Sequence, residues 1–114
     1  MRIIRILLIE NGKGIIRKFK EAFAFKMYDP VKYELTVSES RDGGLKKILL
    51  HKYDLVICGP MRQQFPSFTH AVDLHQADKK VLIVNDRRTY PDIPFLSYQG
   101  LNKERILEMM EKIL

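Results

Sequence analysis

Apolar residues gather along this chain in short continuous runs, separated by stretches in which they recur every three or four positions. Residues 3–9 are β-branched residues and leucine, interrupted only by Arg5 and followed by Glu10-Asn11-Gly12, as in a strand buried on both faces that feeds a turn. Over residues 14–27 the spacing of Ile15, Ile16, Phe19, Ala22, Phe23 and Met27 predicts a helix, with Lys13, Arg17 and Lys20 on its opposite side and Asp29-Pro30 as its stop. Residues 33–37 read as a second strand. Ser40-Arg41-Asp42 then opens a second helix whose apolar set is Leu45, Ile48 and Leu49 and whose first turn Gly43 and Gly44 weaken. A third strand spans 55–58 and closes at Gly59-Pro60. A third helix is predicted over 66–76 from Phe68, Ala71, Val72 and Leu74, a fourth strand over 81–84 capped by Asn85-Asp86, and a fifth over 94–98. Residues 101–114 form an amphipathic helix with Leu101, Ile106, Leu107, Met110 and Ile113 inward.

This alternation predicts an α/β fold, a single three-layer doubly wound parallel sheet of five strands with function at the carboxyl ends of the strands. Residues 87–93 leave too little chain for a full helix between strands four and five, so that helix is shortened or missing. With 114 residues, 46% hydrophobic and 30% charged, and with no linker, repeat or low-complexity stretch, the chain reads as one domain over 1–114. Its lone cysteine, Cys58, has no second thiol for a disulfide or a metal, reads as a small buried hydrophobe, and points to a cytoplasmic protein. The apolar run at 3–9 is far below the ~20 residues that span a bilayer, so no membrane association is expected. The formal net charge of +6 suits an acidic or nucleic-acid partner, but the bases come in scattered pairs, Lys46-Lys47, Lys79-Lys80 and Arg87-Arg88.

The order of elements, and above all residues 33–59 (YELTVSESRDGGLKKILLHKYDLVICG), resembles the second strand, second helix and third strand of response-regulator receivers of the CheY-like family. Ile6-Leu7-Leu8-Ile9-Glu10-Asn11 resembles the end of that family's first strand, and Phe95-Leu96-Ser97-Tyr98 with Leu101-Asn102-Lys103-Glu104 its passage into the last helix. The resemblance implies a flavodoxin-like strand order of 2-1-3-4-5. It also implies a phosphorylation pocket, and that pocket has lost its chemistry. The aspartate that accepts phosphate at the end of the third strand is Gly59, which has no side chain to accept anything. The acidic pair that holds Mg²⁺ is Glu10-Asn11, the hydroxyl position is Asn85, the lysine is Tyr98 and the proline after it Gln99. One carboxylate and two amides carry too little charge to hold Mg²⁺, so an empty or water-filled pocket, no metal and no cofactor are expected, with Tyr98 a half-buried tyrosine.

A weaker resemblance joins Leu7-Leu8-Ile9-Glu10-Asn11-Gly12 to the IIB domains of sugar phosphotransferase systems, but their phosphocysteine position is Glu10. Gly12-Lys13-Gly14 ahead of a helix suggests a nucleotide turn, with Glu39 as a ribose acceptor, yet neither a Walker loop nor a dinucleotide fingerprint is complete. His51, His70 and His75 are too dispersed for a metal motif, His51 reading as a surface imidazole near a helix carboxyl end, and no serine sits in a nucleophile elbow. The expectation is a non-enzymatic, phosphorylation-independent regulatory module that acts by binding a protein. Lys13, Arg17 and Lys20 form its candidate docking stripe, since the corresponding receiver helix meets its partners. A degenerate IIB-like domain and a basic nucleic-acid or nucleotide-binding domain are the alternatives.

Overall fold

Eight residues, Arg2–Ile9, form β1 at the heart of the sheet, with a parallel neighbour on each side. The computed structural model describes residues 2–24, 31–59, 73–75, 77, 79–85 and 92–114. β1 leads to α1 (Lys13–Ala24), β2 (Val31–Ser38), α2 (Arg41–Leu50), β3 (Leu55–Cys58), β4 (Val81–Asn85), β5 (Phe95–Ser97) and α3 (Lys103–Ile113). All pairings are parallel and the strand order is β2-β1-β3-β4-β5, the order expected from the sequence. β1 pairs with β2 from Arg2↔Val31 to Ile9↔Ser38 and with β3 from Ile6↔Leu55 to Ile9↔Cys58. The chain winds away from β1 in opposite directions, so the crevice of a doubly wound sheet lies at the carboxyl ends of β1 and β3, beside Glu10 and Gly59.

Alternation along β1 explains its continuous apolar run. Ile4, Ile6 and Leu8 join Phe19, Phe23, Ile106 and Met110 in a core under α1 and α3, whereas Leu7 and Ile9 face a second core with Val56, Cys58, Leu74 and Ile83. Phe23 packs between Phe19 and Tyr33, with ring centroids 6.0 and 5.1 Å away, and ties α1 to the edge strand β2. Leu101 ahead of α3 and Ile106 and Met110 within it are buried, and Leu107 and Ile113 pack against the same core, as the periodicity requires.

At the first turn of α2, which Gly43 and Gly44 weaken by propensity, Ser40 Oγ accepts the Gly43 N–H at 3.0 Å, and Gly44 lets the helix approach the sheet. A Cβ on Gly44 would lie 2.7 Å from Ile9 Cδ1, and one on Gly43 2.8 Å from Ser40 Oγ. One expectation for α2 needs correction: Leu49 is not in the core. Leu49 and Leu50 are 85% and 75% exposed, and Ile48 alone of the helix's last turn packs inward. Asn85, expected to cap β4, is its last residue. Of the helix expected over 66–76, residues 73–75 are helical with Leu74 buried, and the rest, with Phe68, Ala71 and Val72, lies outside the described residues. So do Met27, Asp29-Pro30 and residues 86–91, while residues 92–94 before β5 are not helical.

Candidate functional site

Glu10 leaves β1 between two neighbouring strand ends. Its N–H donates to the Ser38 carbonyl at 3.0 Å, and the Gly59 N–H donates to the Ile9 carbonyl at 2.9 Å, so the ladder holds Glu10 beside Gly59. The Glu10 side chain is 1% exposed and turns back on its own chain, where Oε1 accepts the Asn11 N–H at 2.7 Å and the Gly12 N–H at 3.0 Å. The Gly12 carbonyl accepts the Ile16 N–H and starts α1, so this carboxylate satisfies amides ahead of the helix amino terminus, where the helix dipole favours negative charge. The other oxygen, Oε2, is buried with no hydrogen-bond partner among the described residues, and it lies over Gly59. A Cβ built on Gly59 would overlap Oε2 outright and sit 2.5 Å from Cδ and 2.9 Å from Cβ of Glu10.

Glu10 thus takes the room that a side chain at Gly59 would need at the end of β3, where an empty or water-filled pocket was expected from the sequence. This was not legible in the sequence, because nothing in the string Glu10-Asn11-Gly12 says that the carboxylate folds inward and not toward solvent. The arrangement suits Mg²⁺ poorly. One Glu10 oxygen is taken by two amide hydrogens, Asn11 is exposed, and among the described residues neither a second carboxylate nor a phosphoryl acceptor completes a sphere. Among the described residues no three His, Cys, Asp or Glu side chains converge as a metal would need. The same hydrogen bonds occupy the Gly12 amide, the first of those that a phosphate at the Gly12 to Gly14 turn would use.

The other site positions lie further along the sheet. Asn85 ends β4 opposite Ser97; its side chain lies outside the described residues. Tyr98 follows β5, two strands from Gly59, and is 39% exposed where a half-buried ring was expected. It opens a tight turn in which the Leu101 N–H donates to the Tyr98 carbonyl at 3.3 Å and Gly100 adopts φ +72°, a left-handed conformation that a type II turn requires at its third residue. Arg105 braces that turn by donating to the Gln99 carbonyl at 3.2 Å. Cys58 is buried at the end of β3, and desolvation pushes its thiol from 9.0 up to about 12, which makes it a poor nucleophile. His51 caps the carboxyl end of α2, exposed; His75 is exposed and His70 lies outside the described residues. Lys13, Arg17 and Lys20 are all exposed on α1 and, with Ile16, Val37 and Glu39, border a groove of about 460 Å³ beside the edge strand.

No family model and no curated protein matches the sequence. Solved structures match the fold. The signal receiver domain of an HD domain-containing protein from Pseudomonas fluorescens Pf-5 is similar with a TM-score of 0.77 and 18% identity, over 100% of this chain and 88% of that one. The chemotaxis response regulator CheY4 of Vibrio cholerae has a TM-score of 0.77 and 14% identity, over 98% of this chain and 99% of that one. RcsB from Salmonella enterica serovar Typhimurium, solved bound to promoter rprA in the presence of phosphomimetic BeF3-, has a TM-score of 0.66 and 7% identity, over 96% of this chain and 62% of that one. The chain has the fold of CheY-like response-regulator receivers, built here around a glycine at the end of β3 and a buried glutamate lying over it.

Proposed function

We propose that this chain is a receiver-fold regulatory module that works without an aspartyl phosphate and acts by binding another protein, with no catalytic activity of its own. The observation that carries this reading is the overlap of Glu10 with any side chain at Gly59. Phosphoryl transfer to a receiver needs a carboxylate nucleophile at the end of β3 with space for an in-line phosphoryl group and a cation beside it. Gly59 supplies no nucleophile and Glu10 takes the space. A backbone that keeps the sheet and its crevice while laying Glu10 over Gly59 retains surfaces and not chemistry. No helix among the described residues is long and apolar enough to cross a membrane. The module is assigned to the cytoplasm on its one cysteine, a buried free thiol.

The docking surface we assign to this function is the stripe of Lys13, Arg17 and Lys20. All three are exposed on one side of α1, and the groove they border has Ile16 and Val37 as its apolar part. Opposite charge on a partner would speed association and make it sensitive to salt. The test of the chemistry is intact-mass spectrometry after incubation with acetyl phosphate and Mg²⁺. The expected spectrum is that of the unmodified chain. A stoichiometric, base-labile phosphoryl adduct would overturn the reading.

A further inference from the structure

At the end of the sheet opposite the Glu10 crevice, three depressions adjoin. The first, of about 350 Å³, is bordered by Arg5, Lys47, His51 and Lys52; the second, of about 470 Å³, shares Arg5, Lys52 and Tyr53 with it and adds Lys79. The third, of about 690 Å³, shares Lys79 and continues past Lys80 to Lys112 over an apolar floor that includes Val81, Pro94 and Met109. Together they make one trough along the amino ends of the strands. Six cationic side chains border it against two carboxylates, and Glu108 beside Lys112 adds a third, so this edge carries a clear excess of positive charge on a chain of formal net charge +6.

The carboxylates are engaged already. Glu34 pairs with Arg5 at 3.9 Å, and Asp54 Oδ2 accepts the Arg5 N–H at 2.8 Å. Lys80 donates to the Ile113 carbonyl at 3.5 Å and Lys112 lies 4.0 Å from Glu108, both at the carboxyl end of α3, where cations suit the helix dipole. Lys47, Lys52 and Lys79 have no carboxylate partner among the described residues. They stand along the trough and not around a point. The path from β2 to β5 crosses four inter-strand spacings of ~4.8 Å, roughly 19 Å, the length of about five stacked nucleotides. On its wall the exposed His51 ring meets Tyr53 edge to face at 6.4 Å, a platform for a base.

We infer that this amino-edge trough binds single-stranded nucleic acid without sequence preference, its lysines neutralising phosphates and its aromatic wall and apolar floor receiving bases. A concave, elongated track fits a flexible strand better than a bilayer surface, and among the described residues the trough presents no ring of donors that would single out one terminal phosphate. This surface is separate from the α1 stripe and from the crevice, and does not depend on the function proposed above.

The test is fluorescence anisotropy of the full chain with a fluorescein-labelled oligothymidylate of about twelve nucleotides. Saturable binding is expected, weakening at least tenfold between about 50 mM and about 200 mM salt. Lys52→Glu with Lys79→Glu should weaken it at least tenfold, whereas Lys18→Glu with Lys103→Glu, the same change in net charge placed outside the trough, should change it less than twofold. Circular dichroism and melting establish that both variants fold, and Lys52→Gln with Lys79→Gln replaces the first pair where charge reversal prevents folding. Absent binding at low salt, equal losses from the two pairs, or displacement of the probe by an oligoglutamate of equal charge as readily as by unlabelled oligothymidylate would each overturn the assignment.

Discussion

The buried carboxylate of Glu10 occupies the volume that any side chain at Gly59 would need, with Oε2 above the glycine and Oε1 held by the Asn11 and Gly12 amides. Two residues 49 positions apart in sequence thus share one space: Gly59 leaves room that Glu10 takes, and the Asn11 and Gly12 amides that lead into α1 hold Glu10 there. On this relationship, replacing one residue should not rebuild the pocket.

Gly59→Ala should destabilise the fold by about 1–3 kcal/mol through overpacking, and Gly59→Asp by more, because it adds a second carboxylate beside a buried one. Combining Gly59→Ala with Glu10→Ala should cost less than the sum of the single changes, since the second substitution removes Cδ and Oε2 from the overlap. Urea unfolding of the four proteins measures this coupling, and strictly additive costs would refute the overlap. Gly59→Asp should also remain unphosphorylated by acetyl phosphate and Mg²⁺, since Asn11, Asn85 and Tyr98 still lack the remaining groups.

Gly44→Ala sets two effects against each other. Alanine in a helix gains up to ~1 kcal/mol over glycine, but its Cβ would lie 2.7 Å from Ile9 Cδ1 and 2.9 Å from Cγ1, and Ile9 is fully buried with nowhere to yield. Overpacking should win, with a net loss of about 1–2 kcal/mol. Adding Ile9→Val, which deletes Cδ1, should recover part of it. A melting temperature raised by Gly44→Ala alone would show that α2 has room to move outward.

Cys58 supplies a pH dependence. Burial raises its folded value from 9.0 to about 12, so between those limits the unfolded chain has lost the proton that the folded chain keeps. The stability this thiol contributes is complete below pH 9 and declines as pH rises toward 12. Cys58→Ala should flatten that alkaline decline. In the native protein near neutral pH, Ellman's reagent should react only as fast as the chain opens, and at full speed in denaturant.

Reversing Lys13, Arg17 and Lys20 to glutamate together should reduce capture of a protein partner from native lysate at least tenfold while leaving the circular dichroism spectrum unchanged, because all three side chains are exposed. Nuclease treatment of the lysate removes partners bridged by nucleic acid. Undiminished capture by the folded triple variant would take α1 out of the interface.

Much of the architecture was legible in the order of residues. Buried parallel strands need apolar side chains on both faces, so the continuous runs at 3–9, 55–58 and 81–84 announce strands, and the three-and-four spacing in α1 and α3 announces helices that each cover one core. The loss of the acceptor at Gly59 was equally plain, since a missing side chain is a property of one letter. Side-chain direction at chain reversals, and the company that distant segments keep, were not legible. Leu49 has the spacing of a core residue, yet the close approach of Gly44 to Ile9 seats α2 so that Leu49 faces outward. Glu10 reads as the first residue of a turn and the one acid left in the pocket, and only the meeting of the β1 and β3 ends, with two amides ahead of α1, draws its carboxylate over Gly59. The charge followed the same division: its sum of +6 is composition, whereas its concentration along one edge arises because parallel winding brings Arg5, Lys52, Lys79 and Lys112, scattered over the whole chain, to the amino ends of neighbouring strands.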